Sequence, residues 1–385
     1  MDAQSDRGLV WFFMDVSDPR AENALHRLTD IFSIAICAVL GQADNWVAVA
    51  EYGRTKLAFF KSFLKLEHGI PSHDTFERVF AAINPDEFEK CFVAWTTSLA
   101  KKNSQIKPAS TELKTIAIDG KSMRRTFKHN WDKSCMTHIV SAFATHNSLL
   151  FSQIKTDKKS NEITAIPKIL EFLDVAGAII TIDAMGCQKE IAQKIIDKKA
   201  DYILALKDNH PELSSQVKST LDEAIKLKFA DMPYSYHEQT NAGHGRIEMR
   251  QTWITTDIGW LGERAKQWSG LAALIVIKST RTLNGKTTEN HRYYISSKAD
   301  MTAEQAALAI RNHWKIENQL HWILDVVFDE DRSRNRNGHG AENFSRLERI
   351  ALNLLRMDKT KKGSLKIKRL IAAWDEQYLK TLLLG

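Results

Sequence analysis

Apolar positions along the chain change their period near residue 115. Between residues 20 and 105 they recur every three or four positions: Leu25, Leu28, Ile31 and Ile34/Ala35 make one helical face, and Phe76, Val79, Phe80 and Ile83 another. The longest apolar run, Ile31–Leu40, is too short to span a bilayer and is followed by Gly41–Asn45, so it predicts a core helix. Gly69-Ile70-Pro71-Ser72 breaks the pattern, and Ser72 or Asp74 can cap the helix after it. Another helix is predicted from Asn84-Pro85-Asp86 through Trp95. A short helix pair around a Gly/Pro turn fits plain packing as well as docking on DNA. Lys101–Lys114, with Ser104, Pro108 and Ser110, reads as a linker.

From Thr115 the pattern is that of strands. Thr115–Asp119, Thr137–Thr145 and Leu149–Thr156 are predicted strands, the last two separated by the turn-prone His146-Asn147-Ser148. A helix over Ile163–Leu173 follows, with Pro167 best tolerated near its first turn. Next come strand Ala178–Asp183, helix Gln188–Lys199 and strand Tyr202–Lys207. Three hairpin-linked strands followed by two βα units predict a mixed five-strand sheet covered by helices, the layout of the ribonuclease-H-like fold. After Asn209-His210-Pro211 a helical stretch runs to Phe229. Strands are then predicted at Ile247–Thr255, Leu271–Thr280 and His291–Ser296, with Asn284-Gly285 as the hairpin turn between the last two. A long helix from Ala303 to about Phe328 precedes a helical tail, Glu342–Met357 and Ile367–Leu384, rich in Lys and Arg. The expected domains are 1–110 (helical, a candidate for DNA binding), 111–210 (first part of the core), 211–300 (a separate β-rich insertion) and 301–385 (second part of the core with the basic tail).

Composition narrows the class. Hydrophobic residues at 43% and charged residues at 26% describe an ordinary globular protein with a sizeable core. The balance of 54 Lys+Arg against 47 Asp+Glu, net +7, is a mild pointer to a polyanionic partner. Cys37, Cys91, Cys135 and Cys187 lie far apart with no Cys-x-x-Cys pair, which fits buried thiols in a reducing compartment and argues against a disulfide framework or zinc site. With no membrane span and no signal-peptide pattern, a cytoplasmic, nucleoid-associated protein is expected.

The candidate chemistry rests on three carboxylates. Asp119 closes the first core strand and Asp183 the fourth, and ligands bind outside the carboxyl ends of such strands. If the two strands pair, these aspartates become neighbours, and Glu317 on a helix across the sheet can supply a third carboxylate. All-oxygen ligation suits Mg²⁺ or Mn²⁺, and two such ions stabilise the attacking and leaving oxygens of a phosphoryl displacement. Each acid alone has a plainer explanation: Asp119-Gly120 as a turn, Asp183 as a helix cap, Glu317 as a solvated helix residue. His313, Glu317 and His321, each four apart, share one helix face. That spacing also brings zinc to mind, but consecutive members rotate by about 40° and no third histidine is evident.

Ile118-Asp119-Gly120-Lys121 with Arg124, Thr181-Ile182-Asp183-Ala184-Met185-Gly186-Cys187-Gln188, and Arg311 through Arg336 closely resemble the insertion-sequence DDE transposases that include the H-repeat-associated proteins of Rhs elements. The similarity covers nearly the whole chain, including Gly69-Ile70-Pro71-Ser72-His73-Asp74-Thr75, the run Thr156–Pro167 and His244-Gly245-Arg246-Ile247-Glu248. It implies that Asp119, Asp183 and Glu317 are the catalytic, metal-binding triad and that the β-rich insertion helps hold transposon ends. It also implies double-stranded DNA as partner, a homodimer when two ends are paired, and cleavage followed by attack of the freed 3′-hydroxyl on target DNA. Related cut-and-paste transposases surround the last carboxylate with Tyr-x2-Arg-x3-Glu-x6-Lys. The corresponding residues here are Ile310, His313 and Leu324, so steps assigned to those side chains in relatives are not carried over.

Candidate phosphate contacts are Lys121, Arg124, Lys207, Arg246, Arg250, Arg311, His313, Lys315 and the loop cations Arg332, Arg334 and Arg336. A basic residue near such a site is as often a structural ion-pair partner. Trp253, Trp260 and Trp268 read as core residues before they read as stacking platforms. Two other readings share the same triad or fold: a ribonuclease-H-like nuclease or resolvase, and a DNA-binding remnant that no longer transposes. The intact triad argues against simple decay.

Overall fold

Eleven consecutive buried residues, Asp30–Leu40, make helix α1 (Leu28–Leu40) apolar on nearly every side, as expected of a helix enclosed all round. Leu25, grouped with this face by spacing, lies ahead of the helix and is exposed. Helix α2 (Trp46–Thr55) begins where Asn45 Oδ1 accepts the Ala48 N–H at 2.9 Å, and α3 (Leu57–Lys61) follows. Ser72 caps α4 (His73–Ala82), accepting the Thr75 N–H at 3.2 Å. Helix α5 (Pro85–Ile106) runs past the predicted end at Trp95 and absorbs the first residues expected of the linker. The computed structural model describes residues 8–22, 24–106, 113–126, 136–156, 162–207, 209–243 and 246–384, so linker residues 107–112, Cys135 and the pair His244-Gly245 lie outside the described residues. The N-terminal helices share one apolar core with Leu320, Leu324, Phe328, Phe344 and Leu347 from the far end of the chain.

Strand β1 (Thr115–Ser122) pairs antiparallel with β2 (His138–Ala144), which pairs with β3 (Leu149–Thr156). Helix α6 (Glu162–Phe172) then leads to β4 (Ile179–Ile182), parallel to β1, and α7 (Lys189–Asp197) to β5 (Asp201–Leu206), parallel to β4. Pro167 sits in the second turn of α6, deeper than expected. The order β3-β2-β1-β4-β5 sets the first strand beside the fourth, the pairing on which the neighbouring aspartates depend.

The sheet does not stop at five strands. After α8 (Pro211–Lys226) come β6 (Ser235–Gly243), β7 (Arg246–Thr255), the short α9 (Glu263–Lys266), β8 (Ala273–Leu283) and β9 (Lys286–Ser296). Strand β9 pairs antiparallel with β5, giving one nine-stranded sheet of order β3-β2-β1-β4-β5-β9-β8-β7-β6. The expected separate insertion is thus an extension of the core sheet. The physical reason is the open edge of β5, whose unpaired N–H and C=O groups would otherwise need covering. Strand β6 escapes sequence reading because Ser-Tyr-His-Glu-Gln-Thr-Asn-Ala-Gly is polar on both faces and largely exposed. Trp253 and Trp268 are buried in the core, and Trp260 packs against it, donating its indole N–H to the Asp257 carbonyl at 2.8 Å.

The chain closes with α10 (Ala303–His313), opened by a reciprocal Thr302–Gln305 capping box, then a π turn over Ile316–His321 and α11 (Trp322–Val327). Helix α12 (Gly340–Met357) is buried along almost its whole length despite carrying Glu342, Asn343, Arg346, Glu348, Arg349 and Asn353. Its polar groups are spent on neighbours. Arg346 Nε lies 2.9 Å from Glu89 Oε2, and Asn353 exchanges two hydrogen bonds with the backbone of Leu150. Helices α13 (Leu365–Trp374) and α14 (Glu376–Leu384) finish the fold. Several cations of the basic tail are structural: Arg369 stacks on Phe328 at 4.1 Å, and buried Lys368 pairs with Asp358 at 3.0 Å. Cys37, Cys91 and Cys187 are free and buried. Among the described residues no helix is long and apolar enough to cross a membrane.

Candidate active site

The parallel pairing of β1 with β4 sets Ile118 opposite Ile182, so Asp119 and Asp183 follow at adjacent points of the sheet. Asp183 leaves the strand in a tight turn, its Oδ1 accepting the N–H of Met185 at 3.0 Å and of Gly186 at 3.4 Å. The turn explains the small residue in Ala-Met-Gly: a Cβ on Gly186 would stand 2.2 Å from Ile182 Cγ2. Glu317 arrives from the π turn, and all three carboxylates line one cleft of about 230 Å³. Its other walls include Thr181, Lys207, Arg292, Tyr294, His313 and Trp314. Burial pushes the Asp119 carboxyl up to about 7; a hydrogen bond from the Gly120 N–H opposes this, and the nearby Asp183, Glu162 and Glu317 add to it. His321 Nδ1 lies 3.7 Å from Asp119 Oδ2, but burial and the neighbouring Arg349 and Lys121 hold its ring neutral, with a pKa of about 3.

Three carboxylates and two cations, Lys207 and Arg292, line the one cleft. Among the described residues no Lys or Arg forms an ion pair with Asp119, Asp183 or Glu317. Among the described residues no three Asp, Glu, His or Cys side chains are gathered closely enough to hold a metal ion by themselves. Oxygen-only donors on an open wall fit Mg²⁺ or Mn²⁺, which keep part of their water and take further oxygens from a phosphate. They do not fit a tetrahedral zinc site.

The structure separates the candidate cations. Lys121 is a correction: only 9% exposed, its ammonium lies 2.7 Å from Asp325, 2.9 Å from Glu330 and 3.4 Å from Asp331, so it is committed to structure. Glu330, fully buried, also accepts from Arg349. The cluster ties the strand of Asp119 to the helices after Glu317. Arg124 is exposed with its Nε 3.2 Å from Asp331, Arg250 pairs with Glu248 at 2.6 Å, and Arg332 stands 3.4 Å from Asp329. Arg336 donates to the Arg125 carbonyl at 3.1 and 3.2 Å, Arg311 reaches Gln239 at 3.4 Å, and Lys315 reaches the Thr145 carbonyl at 3.4 Å. Arg246 is exposed at the tip of the β6–β7 hairpin and Arg334 is exposed in its loop. Lys207 and His313 line the cleft itself, with His313 Nδ1 3.0 Å from Thr181 Oγ1 and its ring kept neutral by burial. Ile310 is a buried wall of the cleft and Leu324 is fully buried in the helical core, where a lysine would be stranded.

Three features had no signal in the sequence. One is the π turn, where the Trp322 N–H donates to the Glu317 carbonyl five residues back, re-aiming the helix at its working residue. With it, His313, Glu317 and His321 no longer follow a simple α-helical stripe. Another is the buried pair beneath Asp119, with Glu162 Oε1 2.6 Å from His138 Nε2 and His138 Nδ1 2.8 Å from Ser122 Oγ. The last is Arg292, whose guanidinium lies over the Trp314 ring at 5.4 Å in the same cleft.

Comparison with known proteins follows the same lines. The family described as "Transposase DDE domain" matches residues 110–354, and the one described as "DDE_Tnp_1-associated" matches residues 10–96. "H repeat-associated putative transposase YhhI" of Escherichia coli strain K12 is 42% identical over 368 residues, 94% of this chain and 93% of that protein. "Putative transposase YncI" of Escherichia coli O157:H7 is 39% identical over 98% of this chain and 95% of that protein. Among solved structures, a piggyBac transposase synaptic complex with hairpin DNA covers 94% of this chain and 75% of its own, at a TM-score of 0.42 and 10% identity. That score adds nothing to the fold reading, which rests on strand order. By sequence, the chain belongs to the DDE transposase family, alongside its H-repeat-associated members.

Proposed function

We propose that this chain is an active DNA transposase that cuts transposon ends and joins them to target DNA, with Asp119, Asp183 and Glu317 as its catalytic carboxylates on a ribonuclease-H-like core. The observation that carries the reading is that these three acids, from two strand ends and a π turn, line one cleft where none of them forms an ion pair with a Lys or Arg among the described residues. Asp119 and Asp183 would hold divalent ions and Glu317 would complete their shell. Mg²⁺ or Mn²⁺ bound there would lower the pKa of an attacking water or 3′-hydroxyl and stabilise the leaving oxygen. The protein's own contribution is positional. The β1–β4 register fixes the spacing of the aspartates, the Asp183 turn aims one carboxylate, and the lysine-centred cluster behind β1 holds the helix of Glu317 against the sheet. His313, neutral and hydrogen-bonded to Thr181, would orient a phosphate or water without adding charge. The exposed cations Arg124, Arg246, Arg311 and Arg334 would track DNA outside the cleft, and two chains would act together on paired ends.

The test begins by searching the DNA on either side of the gene for inverted repeats, whose absence would itself count against a mobile element, and uses duplexes that carry them. Asp119→Asn, Asp183→Asn and Glu317→Gln should each abolish Mg²⁺-dependent strand cleavage while leaving the folded spectrum intact. Undiminished cleavage by Asp183→Asn would sink the triad. Hydrolysis without strand transfer would favour a nuclease, and metal-independent inertness of the wild-type chain would favour a remnant.

A further inference from the structure

The cleft has a second chemistry on the strands beside those that carry its aspartates. Strand β5 pairs with β9 so that Leu206 faces Tyr293 and Ala205 faces Tyr294. Continued by one residue, that register brings Lys207 opposite Arg292, and both side chains line the carboxylate cleft together with Ala205 and Tyr294. Two like charges set opposite each other across an antiparallel pair destabilise a sheet unless something neutralises them. Neither cation forms an ion pair with a carboxylate among the described residues, although the cleft's three acids are on the same cavity wall system. Arg292 lies over Trp314 instead, at 5.4 Å, and its side chain hydrogen-bonds the Tyr294 hydroxyl, two neutral contacts that leave its charge without a carboxylate partner. The same two residues also line a second, basic depression, with Ser214, Lys218, Asn290 and His291. Lys207 and Arg292 are therefore shared between the carboxylate cleft and this basic depression.

We infer that Lys207 and Arg292 form an anion subsite for a DNA backbone phosphate next to the scissile one, and that the strand continues from the carboxylates over this pair into the basic depression. The proposal rests on the transposase reading and adds the direction in which the strand leaves the cleft. Arginine supplies the fork that grips two phosphate oxygens, and lysine supplies a mobile point charge beside it. A phosphate between them relieves their mutual repulsion. Its neighbour along the strand then falls where the carboxylates can hold cations.

The test is the salt dependence of binding, measured with the full chain, a labelled duplex carrying the flanking inverted repeat, and Ca²⁺ in place of Mg²⁺. Each phosphate contact contributes about 0.9 to the slope of log K against log salt. Arg292→Ala and Lys207→Ala should each lower that slope by about one, and the double variant by about two. Arg292→Lys should keep the slope, and Lys266→Ala, an exposed lysine paired with Glu263 on α9, should leave it at the wild-type value. Unchanged slopes in both single variants and in the double variant would overturn the subsite. So would unchanged slopes accompanied by tighter Mn²⁺ binding to the protein alone, because the two cations would then serve the carboxylates instead. Failure of the wild-type chain to bind the duplex at all would overturn the transposase reading beneath it, a result distinguishable from either of these.

Discussion

The ammonium of Lys121 lies 2.9 Å from the carboxylate of Glu330, a residue with no exposed surface, and the two are 209 positions apart in the chain. Lys121 follows Asp119 by two residues on β1, and Glu330 shortly follows the helix of Glu317. This single buried pair therefore fastens the two halves of the proposed catalytic set.

Breaking it should unfold the protein readily. Arg349 and Lys121 hold Glu330 below the ordinary carboxylate range against the strong opposing effect of its burial. A carboxylate with a depressed folded pKa stabilises the protein above its unfolded value near 4.5 and loses that contribution as the pH falls toward the folded one. Removing one partner of a buried pair costs about 3–5 kcal/mol. Lys121→Met and Glu330→Gln should both show that loss by urea denaturation at pH 7, and the deficit of Glu330→Gln should shrink in acid. Equal stability of Lys121→Met and the wild type at pH 7 would remove Lys121 from the structural role and return it to the candidate phosphate contacts.

Asp119 predicts the opposite pH sign. Its folded pKa of about 7 lies above the ordinary aspartate value of 3.8, so the folded state holds a proton that the unfolded chain has already released. Stability contributed by this group falls as the pH rises from about 4 to about 7. Asp119→Asn should raise the melting temperature at pH 8 and leave it unchanged near pH 4, an expected trade of stability for activity at a working site. Ligation needs the ionised carboxylate, so Mn²⁺ affinity of the wild type should climb about tenfold per pH unit below about 7 and level off above it. Isothermal titration across pH 5.5 to 8.5 checks this, and a flat profile would contradict it.

Gly120 is constrained by space. A Cβ there would meet Glu162 Oε1 and His138 Nε2, each at 2.4 Å, and both atoms belong to a buried hydrogen-bonded pair. Gly120→Ala should cost about 1–3 kcal/mol by overpacking and displace the neighbouring Asp119. A melting temperature and cleavage rate equal to wild type would show that the pair yields freely.

The π turn offers a deletion experiment. Removing exposed Asn318 lets the α-helical ladder close while Leu320 and Leu324 stay anchored in the core. The shortened chain should keep its circular dichroism and lose cleavage, because Glu317 is re-aimed. Full activity in the deletion variant would deny the turn any part in placing the carboxylate.

Much of this site was legible before any coordinates. Asp119 and Asp183 ended apolar runs, and strand order alone made them neighbours. Glu317 was legible as a residue but not as a direction, since Ile-Glu-Asn-Gln-Leu-His contains neither Gly nor Pro to announce a change of helical pitch. Lys121 was read as a phosphate contact because its three acidic partners come from more than 200 positions away. Arg292 was passed over for a similar reason: its meaning comes from facing Lys207 across β5 and β9, a pairing that the separate-insertion reading excluded. Local pattern identifies what can react, whereas nonlocal register decides which charges face one another.

The direct ladder from β5 to β9 also has a mechanical meaning. Domain closure needs a few residues free to change their backbone angles, yet here Ile203–Leu206 are hydrogen-bonded to Tyr293–Ser296 with no connecting hinge. The strand tips around Arg246 and Asn284-Gly285 are therefore the far end of the same plank that carries both aspartates. On the proposed function, a duplex gripped at those tips would be held at a fixed offset from the carboxylates, and the sheet would serve as a ruler along which the point of cutting is measured.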